Sequence, residues 1–338
     1  SNKRITYSII FSNEDSRVGV GLADLMYSYG RTTDIEWMYE VLLSSSGNIL
    51  SEIFQGASHI TTNFQGNKIG RHPILKNATL NCNFTDVGIS DYKFFLSPTF
   101  TADDSFTRQI LMDENPWTYR IMAEELINEG RYEEPADPES VIISDVRNYI
   151  YIEYGGSTSG QNITLEIAAD FIGSCNTYVH HHNYPEFGYG YGGGTHRTSI
   201  ELPENFDPSQ IHELGFISDG NDGYTLTISS ISRLFYLNED YMPTDLDIDF
   251  TSFSISSFDP ERWLAMNENT DNLDCFGTAN GQAECDDCGV CDGGNTDMDD
   301  CGICFGNNMD MDCFGACFGE ASEDECGICD ENMENDNS

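Results

Sequence analysis

At 338 residues and 39% apolar content, the chain has room for two domains and one sizeable core. A formal net charge of −43 excludes unassisted nucleic-acid binding, since no basic stripe offsets phosphate repulsion, and it disfavours anionic lipid surfaces. No run of about 18 apolar residues occurs, so no membrane span is predicted.

From Ile5 to about Ser257 the pattern is short strands between Gly, Asn, Asp and Ser turns. Ile5–Phe11 alternates with period two. Asp34–Leu43 sets Ile35, Trp37, Tyr39 and Val41 on one face and Glu36, Met38 and Glu40 on the other, as in a half-buried strand. A Ser-Ser-Gly-Asn turn then leads into Ile49–Phe54, which reads as a hairpin. Further strands are predicted at His59–Phe64, Ile74–Phe84, Tyr92–Phe100, Val141–Ile143, Tyr149–Tyr154, Ile163–Ala168 and Thr177–His181. The last group is Thr195–Leu202, Glu213–Ile217, Tyr224–Ile231, Leu234–Leu237 and Leu246–Ile255.

One helix interrupts this pattern, with Asn115 as cap, Pro116 in the first turn, an apolar stripe of Trp117, Ile121, Met122 and Leu126, and Gly130 as stop. Shorter turns are expected at Pro208–Leu214 and Pro260–Met266. Many strands with one packed helix predict a mainly β fold, an antiparallel sandwich or jelly-roll head over residues 1–258. A linker with a short helix over 259–274 would lead to a cysteine-rich tail over 275–338.

That tail holds ten of the twelve cysteines, and no Lys or Arg follows Arg262. Units open at Cys275, Cys288, Cys301, Cys313 and Cys326, which is the spacing of an array of small units that have no separate cores. The cysteine density predicts an oxidising compartment. Three acceptor sequons, at Asn77, Asn83 and Asn162, predict N-linked glycans. The start at Ser1, without a Met, reads as a processed terminus or an engineered one.

Pairs Cys288/Cys291, Cys301/Cys304 and Cys326/Cys329, with the variant Cys313/Cys317, read as disulfides rather than zinc ligands, because the repeat continues beyond one site. A chain-local scheme would join Cys275–Cys285, Cys291–Cys301, Cys304–Cys313 and Cys317–Cys326, leaving Cys288 and Cys329 to be placed. Cys82 and Cys175 would pair in the head. Connectivity is not fixed by sequence. Asn295, Asp297 and Asp299, and again Asn308, Asp310 and Asp312, set oxygen atoms two residues apart, a spacing that suits calcium, although the Gly and Glu of an EF-hand loop are missing.

His180 and His182 would share a strand face near His196, but no acidic partner stands at a diagnostic spacing, and a structural role is the plainer reading. The Tyr-Gly stretch with Tyr184, Phe187, Tyr189 and Tyr191 suits subunit contact, ligand recognition or a simple connection, with subunit contact favoured. No nucleophile–base arrangement is readable, so no enzyme is predicted.

The segment DCFGTANGQAECDDCGVCDGGN resembles the Cys-rich, EGF- or tenascin-like repeats of secreted matrix proteins. With the head segments RVGVGLADLMYSYGRTTDIEWMYEV and NPWTYRIMAEELINEG, the chain resembles the tubular flagellar-hair (mastigoneme) proteins of stramenopile algae. The resemblance implies a glycosylated extracellular subunit that polymerises with copies or paralogues of itself. The CFGAC spacing at Cys313 departs from the repeat. The alternative is a carbohydrate-binding adhesin or polysaccharide-active enzyme.

Overall fold

In the computed structural model, residues 1–13, 21–79, 82–89, 94, 96–101, 107–137, 140, 142–159, 164–172, 174–179, 193–219, 223–266, 273–323 and 329–330 are described. The alternating N-terminal residues form β1 (Lys3–Phe11), followed by α1 (Leu22–Tyr29), β2 (Asp34–Leu43), β3 (Ile49–Gln55) and β4 (Thr61–Asn63). Four two-residue strands follow: β5 (Lys68–Ile69), β6 (His72–Pro73), β7 (Lys76–Asn77) and β8 (Phe84–Thr85). Helices α2 (Ile110–Asp113) and α3 (Trp117–Glu129) precede β9 (Tyr149–Ser159), β10 (Thr164–Phe171), β11 (Thr177–Val179), β12 (Gly194–Glu201) and β13 (Ile211–Asp219). The remaining strands are β14 (Thr225–Leu237), β15 (Pro243–Asp245), β16 (Phe253–Ser256), β17 (Glu261–Ala265), β18 (Ser322–Glu323) and β19 (Cys329–Asp330).

The fold is mainly β with antiparallel sheets, as predicted. One sheet has the order β1-β2-β3-β4, a second β12-β9-β14-β15 with β16 also on β14, and a third β11-β10-β13-β17. The sandwich contact is aromatic: Phe216 of β13 sets its ring edgewise on Tyr154 of β9 and Phe253 of β16, at 6.0 and 5.3 Å.

Two compact units divide the chain. The first comprises Ser1–Ala168, Tyr178–Pro208 and Phe216–Arg262; the second comprises Ala169–Thr177, Ser209–Gly215 and Trp263–Ser338. Two short segments from the strand-rich part of the sequence therefore belong with the cysteine-rich tail.

In the first unit, Met26, Ile35, Met112, Tyr119, Met122, Tyr149, Tyr151 and Phe235 form one core cluster, and Tyr39, Phe54, Phe64 and Phe84 another. The predicted single face of β2 is corrected by a bulge between Trp37 and Tyr39: Ile35 pairs with Ile10 and joins the first cluster, whereas Tyr39 and Val41 pair with Tyr7 and Ile5 on the other face and join the second. Glu36, which pairs with Ile9 and so shares the face of Tyr39, is also buried and accepts a 2.7 Å bond from Gln55 Nε2.

Helix α1 escaped the sequence reading. Gly30 ends it in the left-handed region at φ 59°, and its last carbonyls are not left bare. Thr198 Oγ1 and Ser199 Oγ of β12 donate to the carbonyls of Tyr27 and Met26 at 2.5 and 3.0 Å. In α3 the predicted stripe is displaced. Trp117 and Ile121 are exposed, while Thr118, Tyr119, Met122, Ala123 and Leu126 are buried. Asn115 does not cap with its side chain, which donates instead to the Leu111 carbonyl; Pro116 stands at the cap position.

Behind α2 and α3 lies a cluster of buried charge. Arg197 of β12 forks onto Asp113 with Nη1–Oδ1 2.9 Å and Nη2–Oδ2 2.6 Å, and Nη2 also reaches Glu153 Oε2 at 2.9 Å. Tyr119 Oη donates to Asp113 at 2.8 Å, and Arg233 donates to the same carboxylate. Both guanidinium groups lie over the Phe235 ring.

Several predicted strands are corrected. Ile74–Phe84 is not one strand: the Ala78 amide bonds the Asn83 carbonyl at 2.7 Å, so the Asn-rich stretch folds back and leaves only β7 and β8. The described residues of Tyr92–Phe100 and Val141–Ile143 form no strand. Leu246–Ile255 keeps its alternating exposure but joins a ladder only from Phe253. The two runs at Tyr224–Ile231 and Leu234–Leu237 are one bulged strand, β14. Pro208–Gln210 makes a helical turn and the chain then enters β13. No helix forms over Pro260–Met266, where β17 runs instead with Trp263 lying over Gly215 of β13; a Cβ at Gly215 would stand 2.7 Å from that ring.

The candidate functional site: an aspartate-knotted disulfide ladder

Within the second unit the repeat is set by aspartate and glycine as much as by cysteine. Asp286 Oδ1 accepts the amides of Cys288 and Val290, both at 2.9 Å, and Oδ2 accepts that of Asn295 at 2.8 Å. Asp299 does the same for Cys301, Ile303 and Asn308, at 2.9, 3.0 and 2.9 Å. Asp274 serves Phe276, Thr278 and Ala283, and Asp312 serves Phe314 and Ala316.

Each of these loops needs glycine at two places. Three residues after the aspartate the backbone turns left-handed, at Gly277, Gly289, Gly302 and Gly315, with φ between 71° and 80°. Seven residues after it, at Gly281, Gly293, Gly306 and Gly319, a Cβ would lie 1.8–2.4 Å from the aspartate's Oδ2. The repeat is therefore Asp-x-x-Gly-x-x-x-Gly. The amide donors, that of Ile303 first, hold the Asp299 carboxyl below the usual carboxylate range; Asp286 and Asp274 are lowered in the same way, chiefly by the amides of Val290 and Thr278.

The disulfides run between repeats. Cys275–Cys291, Cys288–Cys304, Cys301–Cys317 and Cys313–Cys329 each span 16 residues, with Cα–Cα distances of 5.3–5.6 Å. The first cysteine of each unit bonds the second cysteine of the next, so successive loops overlap. This replaces the predicted chain-local scheme, in which neighbouring cysteines were joined in series. The aspartate loop turns the two members of a CxxC pair towards different rungs. The predicted Cys82–Cys175 bond is likewise replaced: Cys175 bonds Cys285 across 110 residues, and Cys82 takes no part in these disulfides. Gly277 and Gly289 leave room for Ile172 and Asn176 beside Cys175, at 3.0 and 3.1 Å from where their Cβ atoms would be.

Almost nothing in the ladder is buried. Among residues 273–323 only Ala321 is, while Phe276, Phe305, Phe314 and Phe318 are each more than 60% exposed. Covalent rungs and carboxylate–amide bonds take the place of a core. In the chain-entropy model each 16-residue loop contributes about 3 kcal/mol.

This geometry bears on the six residues expected to suit calcium. The Asp299 and Asp312 carboxylates are turned onto backbone amides. Asn295 and Asn308 accept the amides of Asp287 and Asp300 at 2.8 and 2.9 Å and donate back to those carboxylates. None of Asp297, Asp299, Asp310 and Asp312 joins a group of three His, Cys, Asp or Glu ligand atoms among the described residues.

Of the sequons, Asn77 is exposed on β7. Asn83 is only 2% exposed; its Oδ1 accepts the Ser58 amide at 2.9 Å, and its Nδ2 lies 3.4 Å from His59 Nδ1. That nitrogen, which would carry the glycan, is enclosed, so Asn83 is corrected to a packing residue. His196 stacks on Tyr154 with ring centroids 6.1 Å apart, and its Nε2 lies 3.1 Å from the Gly193 carbonyl. Asn162, His180, His182, Tyr184, Phe187, Tyr189, Tyr191 and Cys326 lie outside the described residues.

No protein-family model, curated protein or solved structure matches the chain. The five disulfides belong to an oxidising, non-cytoplasmic compartment, and among the described residues no helix is long and apolar enough to cross a membrane.

Proposed function

We propose that the chain is a structural subunit of an extracellular filament or matrix, with the ladder as a stapled acidic stalk and the β-rich unit as the surface through which copies associate. The overlapping disulfides carry this reading. An element with no core and rungs at every repeat resists extension and proteolysis, and its chemistry serves spacing better than turnover. The resemblance to secreted matrix repeats and to flagellar-hair proteins supports the same reading, as does the accessible sequon at Asn77.

Charge sets a condition on assembly. Chains of net charge −43 repel one another, so association is weak at low ionic strength and strengthens as salt screens the repulsion. Sedimentation velocity of the purified chain, across concentration and salt, tests this. The expected result is oligomers that grow with both. A monomer under every condition would retire the filament reading.

A further inference from the structure

Strands β10 and β13, neighbours in their sheet, bring an imidazole and two carboxylates together in the second unit. Asp170 lies on β10, with His212 and Glu213 on β13. Asp170 Oδ1 accepts the Glu213 amide at 2.9 Å and stands 3.9 Å from His212 Nδ1. One ligand atom from each of the three side chains lies within 4.8 Å of the other two, and all three residues are half-buried.

The backbone beneath this cluster is tied on both sides. The Ile172 amide bonds the Gln210 carbonyl at 2.8 Å, and the Met266 amide bonds the His212 carbonyl at 2.9 Å. The donors are therefore carried on paired sheet strands rather than on a free loop, which limits the reorganisation needed to bind.

We propose that Asp170, His212 and Glu213 form a binding site for a divalent first-row transition metal, with zinc as the fitting ion. Two ligands about 2.1 Å from a tetrahedral zinc are roughly 3.4 Å apart, so the 3.9 Å between Asp170 and His212 closes by a small side-chain rotation. An imidazole among the donors favours zinc over calcium or magnesium, which take oxygen ligands. Three protein ligands leave a fourth position for water, and the 27% exposure of the Asp170 and His212 side chains gives the ion access. The one other group of three ligand atoms among the described residues, Cys175, Cys275 and Cys285, has its sulfurs in disulfides and offers no thiolate. This site stands independently of the filament reading.

The test is isothermal titration of the full chain with zinc chloride. His180, His181 and His182 are replaced by Ala in every sample, so that this run of three imidazoles does not compete. One zinc per chain is expected, with binding weakened by at least the roughly 10–100-fold that loss of even an outer-shell partner costs in His212→Asn and in Asp170→Asn. Glu213→Gln keeps the backbone bond to Asp170 and gives the same reading if either of those variants fails to fold, as judged by circular dichroism without metal. Zinc affinity unchanged in the folded variants, or calcium and magnesium binding as tightly as zinc, would overturn the proposal.

Discussion

Cys288 is bonded to Cys304, sixteen residues ahead, and not to Cys291, its neighbour in the CxxC pair. Cys291 is bonded backwards to Cys275. A cut between Cys288 and Cys291 thus falls inside two disulfide loops at once, and the chain remains joined on both sides. The pairing converts a row of small loops into a ladder whose rungs share load between neighbours.

The aspartate loops should fail under acid before the disulfides do. Because the Asp299 carboxyl is held below its ordinary value of 3.8, its stabilising effect is complete above that pH and is lost as pH falls through the lower folded value. Hydrogen exchange at the Cys301, Ile303 and Asn308 amides should therefore stay protected at neutral pH and accelerate only in strong acid. Asp299→Ala should expose the same three amides at neutral pH, with all rungs intact. Gly306→Ala should do likewise, since its methyl would stand 2.3 Å from Asp299 Oδ2. Unchanged protection in both variants would contradict the knot.

The buried charge cluster makes Asp113 a sensitive position. Its removal leaves Arg197, with a side chain 1% exposed, without its forked partner. Asp113→Ala should lower unfolding stability by about 3–5 kcal/mol. Replacing Arg197 by Met in the same chain should restore part of that loss. Denaturant unfolding of the single and double variants measures both, and a double variant less stable than the single one would show that the charge itself is not the cost.

Glu201 gives the first unit an opposite pH dependence. Burial, partly opposed by the Tyr149 hydroxyl donated to Oε2 at 2.5 Å, pushes its carboxyl up from 4.5 to about 7. The folded state therefore binds a proton that the unfolded chain releases between those values. Stability falls as pH rises through this window and levels above it, by roughly 3 kcal/mol for this one group. Glu201→Gln should be more stable than the parent at pH 8 and close to it at pH 4. Urea unfolding at the two pH values checks the difference, and parallel curves would refute it.

What the residues reveal differs by element. β1 and β2 are legible as strands because Ile5–Phe11 and Asp34–Leu43 carry period-two patterns, but the bulge that moves Tyr39 and Val41 to the face opposite Ile35 leaves no mark in that period. α1 is not legible from its short apolar pattern, because its stability comes from hydroxyls of β12 about 170 residues away that bond its terminal carbonyls. β17 is not legible over Pro260–Met266, because the Trp263–Gly215 packing that fixes it is non-local. In the ladder the cysteine period is plain, yet the pairing depends on the direction in which each turn points its two sulfurs. The signal that was missed is Asp followed by Gly at three and seven residues: Asp286, Gly289 and Gly293, then Asp299, Gly302 and Gly306. The oxygens of Asn295, Asp299, Asn308 and Asp312, at the spacing that also suits calcium, accept backbone amides. Oxygen atoms at short regular spacing suit a cation or a row of backbone amides, and sequence spacing alone does not separate the two.

Proteolytic mapping of the disulfides under non-reducing conditions, with thiols blocked before digestion, tests the ladder most directly. Peptides linked as Cys275–Cys291, Cys288–Cys304, Cys301–Cys317 and Cys313–Cys329, with Cys175 joined to Cys285, are the expected result. Links within CxxC pairs, or between sequence neighbours such as Cys291–Cys301, would contradict the overlapping rungs and remove the physical basis for a stapled stalk.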